Sequence, residues 1–220
     1  MTNLRWKSPW RLLGPLLGLL VVFAPSCLVA QDEKAVSPEK REEFLVTFKR
    51  GPLNVQYDDG VFLRLMVEMS KATSGVEVGA YNGYSAIHAG IAFERNGGKL
   101  TTIDIDPKAV EVSRANIAKF GLDKTITVVE GDALKVLPEL KGEYDYVFID
   151  AVKSDTLKYF QAIKPRLKVG AVIVVHNAVS SAAAMKDFLD AMKADKDYDM
   201  VIVRAGTNPR DGMAICYRRK

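Results

Sequence analysis

Four carboxylates stand where a wound α/β sheet would meet a ligand. Asp104 falls in T-I-D-I-D-P, Asp132 in E-G-D-A and Asp150 in F-I-D-A, each at or near the carboxyl end of a strand-like run, and Glu77 lies inside the run Val76-Glu77-Val78. That last run leads into a tight turn, Gly79-Ala80-Tyr81-Asn82-Gly83, and then into a helix that continues through Ala86–Arg95. In an open α/β sheet, ligands bind outside the carboxyl ends of the strands, so this turn is where a nucleotide-like cofactor would sit. An acid ending the second strand can accept both hydroxyls of a ribose, a role open to Asp104. A single strand-end aspartate is commonplace because aspartate caps helices, and Asp106, just before Pro107, reads as such a cap. Three acids along one sheet edge point to a ligand.

The elements that must position these residues alternate from Val76 onward. Strands are expected at Lys99–Ile105, Thr125–Glu130, Tyr144–Asp150, Ala171–Val175, Asp199–Arg204 and Met213–Arg218. Helices are expected at Pro107–Phe120, near Ala133–Leu140, across Ser154–Leu167 and near Ala182–Lys193. Runs such as Tyr146-Val147-Phe148-Ile149 are continuously apolar, which indicates burial on both faces and a parallel sheet covered by helices. Residues 205–212 are too few for a crossover helix, so the seventh strand should run antiparallel to its neighbours. Ahead of the sheet, Ser37-Pro38-Glu39 opens a helix to about Lys49, with serine as cap and proline at its first position. A second helix over Asp58–Thr73 buries Val61, Phe62, Leu65, Met66 and Met69 on one face. These two helices are expected beside the sheet, forming one wall of the site. His88, among Ala86, Ile87 and Ala89, reads as a packing residue.

Charge separates two cofactors. A dinucleotide sets an anionic pyrophosphate on the first helix N-terminus and calls for G-x-G-x-x-G. Here bulky Tyr81 occupies the turn, and Glu77 and Asp150 would repel a phosphate. S-adenosylmethionine carries a ribose, an ammonium and a cationic sulfonium but no phosphate, and suits an acidic rim.

Together V-E-V-G-A-Y-N-G-Y-S, T-I-D-I-D-P, V-V-E-G-D-A, F-I-D-A-V-K and the His-Asn after the fifth strand resemble the cation-dependent O-methyltransferases of the catechol and caffeoyl-coenzyme A type. The resemblance runs from about Pro38 to the C-terminus. It implies an α/β, Rossmann-like class I methyltransferase fold and transfer of a methyl group to a hydroxyl of a small aromatic acceptor. It implies that Gly79, Tyr81 and Ser85 line the methionine half of the cofactor, Asp104 the ribose, and Asp132 with Ala133 the adenine; Glu77, Gly83, Ile105 and Asp150 complete the cofactor set. It also implies a Mg²⁺ held at Asp150 and at an Asp-Asn pair after the fifth strand, and a lysine, here Lys153, that takes the acceptor proton. The alternative for Lys153 is an exposed lysine in the first turn of a helix.

Two departures stand out. His176 occupies the place of the metal-binding aspartate, leaving Asp150, His176 and Asn177. Imidazole for carboxylate removes a negative charge, which weakens a magnesium site or turns it toward a softer ion such as Zn²⁺, Fe²⁺ or Co²⁺. The segment Ala178-Val179-Ser180-Ser181-Ala182-Ala183-Ala184 passes straight toward a helix where family members carry a longer insert over the acceptor, which widens the range of acceptors.

Arg5, Lys7 and Arg11 precede an almost wholly apolar run from Leu12 to Pro25, the pattern of a secretory h-region and short of a full membrane span. Residues 1–30 therefore read as a signal peptide or anchor, 31–36 as a linker and 37–220 as the catalytic domain. Cleavage after Ala30, lipidation at Cys27 and a retained anchor all remain open. Such a leader implies an exported or membrane-anchored protein that meets the membrane through this segment alone, with a cytoplasmic catalytic domain still open. Without the leader the chain has 28 basic against 27 acidic residues, a net charge of +1, and lacks a basic stripe that would suit nucleic acid. Cys216 is then the sole cysteine, so no internal disulfide can form. A composition 48% apolar supports a buried core. Family relatives suggest a homodimer. The rival reading is an exported module that keeps S-adenosylmethionine binding but has lost catalysis.

Overall fold

The computed structural model describes residues 36–208 and 210–220; the leader, residues 1–30, and most of the expected linker lie outside them. Helix α1 (Pro38–Thr47) starts as expected, with the Ser37 hydroxyl accepting from the Lys40 amide and Pro38 in its first turn. Helix α2 (Tyr57–Ser70) stops short of Thr73 because Lys71 turns left-handed, at φ 56°. Alternation then runs β1 (Ser74–Val78), α3 (Tyr84–Arg95), β2 (Lys99–Asp104), α4 (Pro107–Lys119), β3 (Ile126–Glu130), α5 (Ala133–Glu139) and β4 (Tyr144–Ile149). It continues with α6 (Thr156–Ile163), β5 (Leu167–Val175), α7 (Lys186–Ala194), β6 (Tyr198–Val203) and β7 (Met213–Arg218).

The seven strands lie in the order β3-β2-β1-β4-β5-β7-β6. The first five are parallel, and β7 runs antiparallel to both β5 and β6. The reversed last strand is therefore as expected, inserted between β5 and the edge strand β6. Side chains alternate between two cores. Tyr146 and Phe148 of β4 pack with α1 to α4 on one face, while Val147 and Ile149 pack with α5, α6 and α7 on the other. Arg41 fastens α1 to its face by donating to the Phe120 carbonyl at 2.9 Å while pairing with Glu94.

Helix α2 buries Leu63 and Val67 and leaves Leu65 and Met69 of the expected face exposed, and two further helices differ from the sequence expectation. The long helix across Ser154–Leu167 is three pieces, a 3₁₀ turn at Lys153–Asp155, α6, and a second 3₁₀ turn at Lys164–Arg166. Pro165 has no amide to donate to the helix, so the α-helix ends at Ile163 and the chain passes into a 3₁₀ turn with Lys164 still in helical backbone. Strand β5 consequently begins at Leu167 rather than Ala171. Helix α7 begins at Lys186, not near Ala182, because residues 178–185 coil in successive turns, such as Ser181 N to Asn177 O at 2.9 Å and Met185 N to Ser181 O at 3.2 Å. Among the described residues no helix is long and apolar enough to cross a membrane.

Candidate functional site

Parallel pairing brings the carboxyl ends of β2, β1, β4 and β5 to one lip, and backbone bonds extend the ladder beyond the strands. The amide of Gly79 donates to Ile103 O at 2.8 Å, that of Asp150 to Val78 O at 2.9 Å, and that of His176 to Ile149 O at 3.1 Å. The glycine turn sits on this ladder. Gly79 has φ +99°, and a Cβ there would lie 2.2 Å from the Asp150 carbonyl oxygen, so only glycine fits. Gly83, at φ +82°, precedes α3 and packs against Ser113 of α4. Between them Tyr81 is itself left-handed, at φ 46°.

That strained turn is held by the acid expected on the ribose. Asp104 Oδ2 accepts the Tyr81 amide at 2.7 Å and Oδ1 accepts the Asp106 amide at 3.0 Å. Each oxygen keeps a lone pair for a ligand, so Asp104 both shapes the turn and faces the crevice. Asp106 and Asp132 are helix caps, accepting the amides of Lys108 and Leu134 at 2.9 Å. Ala133 is buried at the start of α5, and Ile105 projects from the lip with 69% of its surface exposed. Ser85 lies in the first turn of α3. Tyr81 reaches across to the segment joining α1 and α2, where its hydroxyl leaves no room for a side chain at Gly51.

Glu77 is 1% exposed and lies beneath the turn. Burial pushes its carboxyl up to about 7, against the lowering influence of the Ser85 and Thr102 hydroxyls. Neither Glu77 Oε2 nor the Thr102 hydroxyl has a well-formed hydrogen bond, and burial dominates. His88 is a packing residue as expected, fully buried against Tyr57 and Tyr84, and burial pushes its imidazole down to about 3.

The other half of the lip is built from side chains. Lys153 Nζ approaches Asp150 Oδ1 to 2.5 Å, and His176 Nδ1 lies 3.3 Å from Asp150 Oδ2. The opposite ring nitrogen, His176 Nε2, lies 3.5 Å from Oδ2 of Asp59 in the first turn of α2. The Phe148 ring meets the imidazole edge-on, with centroids 6.3 Å apart. Burial would raise the Asp150 carboxyl, but His176 and then Lys153 hold it below its usual value. Burial would likewise lower His176, yet Asp150 and Asp59 raise it to about 9. The imidazole thus lies between two carboxylates, each of which favours its protonated form.

A cleft of about 190 Å³ opens beside this chain, lined by Asn54, Gln56, Asp59, His176, Asn177 and Asp211 among others. Of the two helices expected as a wall, α2 and the segment joining it to α1 line this cleft, while α1 supplies none of its lining residues. Asp59 and Asp211 escaped the sequence reading: Asp59 resembles an ordinary acid of a helix first turn, and Asp211 sits in the short β6–β7 connection.

The three residues of the implied metal site are not arranged as ligands. Asp150 and His176 meet, but Asn177, at φ 59°, gives its side-chain amide to Asp211 Oδ2 at 2.5 Å. Both oxygens of Asp150 already have nitrogen partners, Lys153 Nζ and His176 Nδ1. Among the described residues no three histidine, cysteine or acidic side chains converge as metal ligands. A hard ion such as Mg²⁺ wants several free oxygen ligands, and this donor set does not fit it.

The strand order, the reversed last strand and a glycine turn pinned by a strand-end acid define the class I methyltransferase architecture. The O-methyltransferase family matches residues 30–204, and the chain belongs to that family. It is 28% identical over 218 residues to the caffeoyl-CoA O-methyltransferase of Medicago sativa, covering 86% of each chain. It is 29% identical over 180 residues to the catechol O-methyltransferase of Niastella koreensis, covering 74% of this chain and 81% of the relative. Among solved structures it resembles the O-methyltransferase TomG of Streptomyces achromogenes in complex with SAM, at 26% identity and a TM-score of 0.73, over 89% of this chain and 93% of that one. The chain is an S-adenosylmethionine-dependent O-methyltransferase.

Proposed function

We propose that S-adenosylmethionine lies across the Gly79–Gly83 turn and that a small hydroxylated aromatic acceptor enters the cleft beside His176, with its hydroxyl toward Lys153. Asp104 takes the ribose hydroxyls; Ile105, Asp132 and Ala133 border the adenine; Gly79, Tyr81, Gly83 and Ser85 border the methionine portion. Asp150 faces the ammonium and sulfonium side, and Glu77 supports the turn from below. The observation that carries this reading is the Asp150–Lys153 pair beside the turn: Gly79 packs on the backbone of the residue whose side chain holds Lys153, and that same side chain meets His176, which lines the cleft.

In the transfer, the acceptor oxygen attacks the methyl carbon, the carbon–sulfur bond breaks, and the electron pair stays on sulfur, giving S-adenosylhomocysteine. The hydroxyl proton must leave. Lys153 takes it on a lone pair freed by giving one of its own protons to solvent, so the positive charge lost by the sulfonium reappears on the ammonium beside Asp150. Proton transfer of this kind contributes roughly 10²- to 10⁴-fold, and holding the two reactants in line contributes more. The caffeoyl-CoA and catechol relatives support an aromatic acceptor.

Titration calorimetry with S-adenosylmethionine, followed by transfer of a labelled methyl group to a panel of catechols and caffeoyl esters, tests the reading. Micromolar binding and a methylated phenol are expected. Absence of binding at high micromolar cofactor would overturn it, and binding without transfer to any acceptor would favour the module that has lost catalysis. Residues 1–30 are proposed to export or tether the domain, which fractionation of the tagged full-length chain would show as membrane or exterior recovery.

A further inference from the structure

A divalent ion in a methyl-transfer site brings positive charge, and it fixes one side of the acceptor cleft against the other. In this chain protein groups already occupy both positions. Asp150 has one oxygen on Lys153 Nζ, at 2.5 Å, and the other on His176 Nδ1, at 3.3 Å. The far side of the same imidazole reaches Asp59 at 3.5 Å, spanning 117 residues of sequence to join the β5 end to α2. The side chains of Asp59, His176 and Asp150 are only 11, 11 and 15% exposed, so bulk water does little to screen them. Gly206 seals the outer side: a Cβ there would lie 2.6 Å from Asp59 Oδ1, so the β6–β7 connection packs directly on that carboxylate. Asn177 is turned to Asp211.

We propose that this chain transfers the methyl group without a divalent cation, the imidazole of His176 standing between Asp59 and Asp150 in the place of an ion and joining the two walls of the acceptor cleft. The proposal rests on the methyltransferase reading above and concerns how that same site is charged and held. An entering ion would have to displace Lys153 and His176 from Asp150, and it would find one carboxylate free of neither. Imidazole ligands suit softer ions, but here both ring nitrogens face carboxylate oxygens.

The test is calorimetry on the full chain after exhaustive chelation, titrating MgCl₂, MnCl₂ and ZnCl₂ separately, with S-adenosylmethionine titrated into the same preparation. Cofactor binding with no saturable uptake of any ion up to millimolar concentration is expected. His176→Asp removes the bridging imidazole and sets a third carboxylate beside Asp59 and Asp150. That variant should bind Mg²⁺ or Mn²⁺ at least about tenfold tighter than the parent, since affinity follows the charge of the ligand set, and its melting temperature should rise with millimolar Mg²⁺ while the parent's stays level. One equivalent of ion bound by the parent chain at micromolar concentration would overturn the proposal, whether or not the variant folds. Absence of cofactor binding in that preparation would instead defeat the methyltransferase reading, leaving the ion titration to be judged by itself.

Discussion

The two halves of the lip are held together by different means. On the cofactor side, the turn after β1 is fixed by backbone: amides on neighbouring strand-end carbonyls, two glycines in left-handed geometry, and Asp104 accepting the amide of Tyr81. On the acceptor side, Asp59, Asp150, Lys153 and His176 come from α2, β4, the turn before α6 and the end of β5, and side-chain charge joins them. A site built from backbone is fixed by the fold, whereas one built from charged side chains is open to change by a single substitution.

Breaking each half separately should give opposite signatures. The largest effect is expected for Lys153→Ala, with turnover falling about 10²- to 10⁴-fold while cofactor affinity by calorimetry moves little. If cofactor affinity and turnover fell together, Lys153 would belong to the cofactor half. Next comes Gly79→Ala. With φ at +99° and the Asp150 carbonyl oxygen 2.2 Å from the new Cβ, stability should fall by about 2–4 kcal/mol, seen as an earlier denaturant midpoint, and cofactor binding should be lost with it.

Glu77 gives a pH-dependent test of the cofactor half. Its folded-state value, about 7, lies above the ordinary 4.5. The neutral form is thus favoured by folding, and its contribution is complete below about pH 4.5 and disappears as pH rises through about 7. The cofactor-free protein should therefore lose up to roughly 3 kcal/mol of stability over that window, and Glu77→Gln should remove this part of the slope in denaturant melts at successive pH values. A parallel profile for parent and variant would show that the carboxyl is charged in the fold. The smallest effect is expected for Asp104→Ala, which removes an acceptor of two backbone amides and the expected ribose partner. Cofactor affinity should weaken by about 1.5–2 kcal/mol, roughly 10- to 30-fold, with turnover at saturating cofactor largely kept.

The sequence itself determined the sheet and its cofactor edge. Apolar runs of strand length, punctuated by helix caps at Ser37 and Asp106, set the alternation, while the cap at Asp132 emerged only in the structure. The short connection before β7 forced its reversal, because no crossover helix fits in it. Glycine spacing and the acids at Asp104 and Asp150 were legible for the same reason: a residue at a strand end is placed by its own strand. Tertiary structure alone decided the acceptor half. Nothing local distinguishes Asp59 from any acid in a helix first turn, and only the packing of α2 on the sheet sets it against His176. That packing set between two carboxylates a residue whose place in the chain suggested a metal ligand, because the surroundings of a buried ionisable group depend on charges that sequence distance does not reveal.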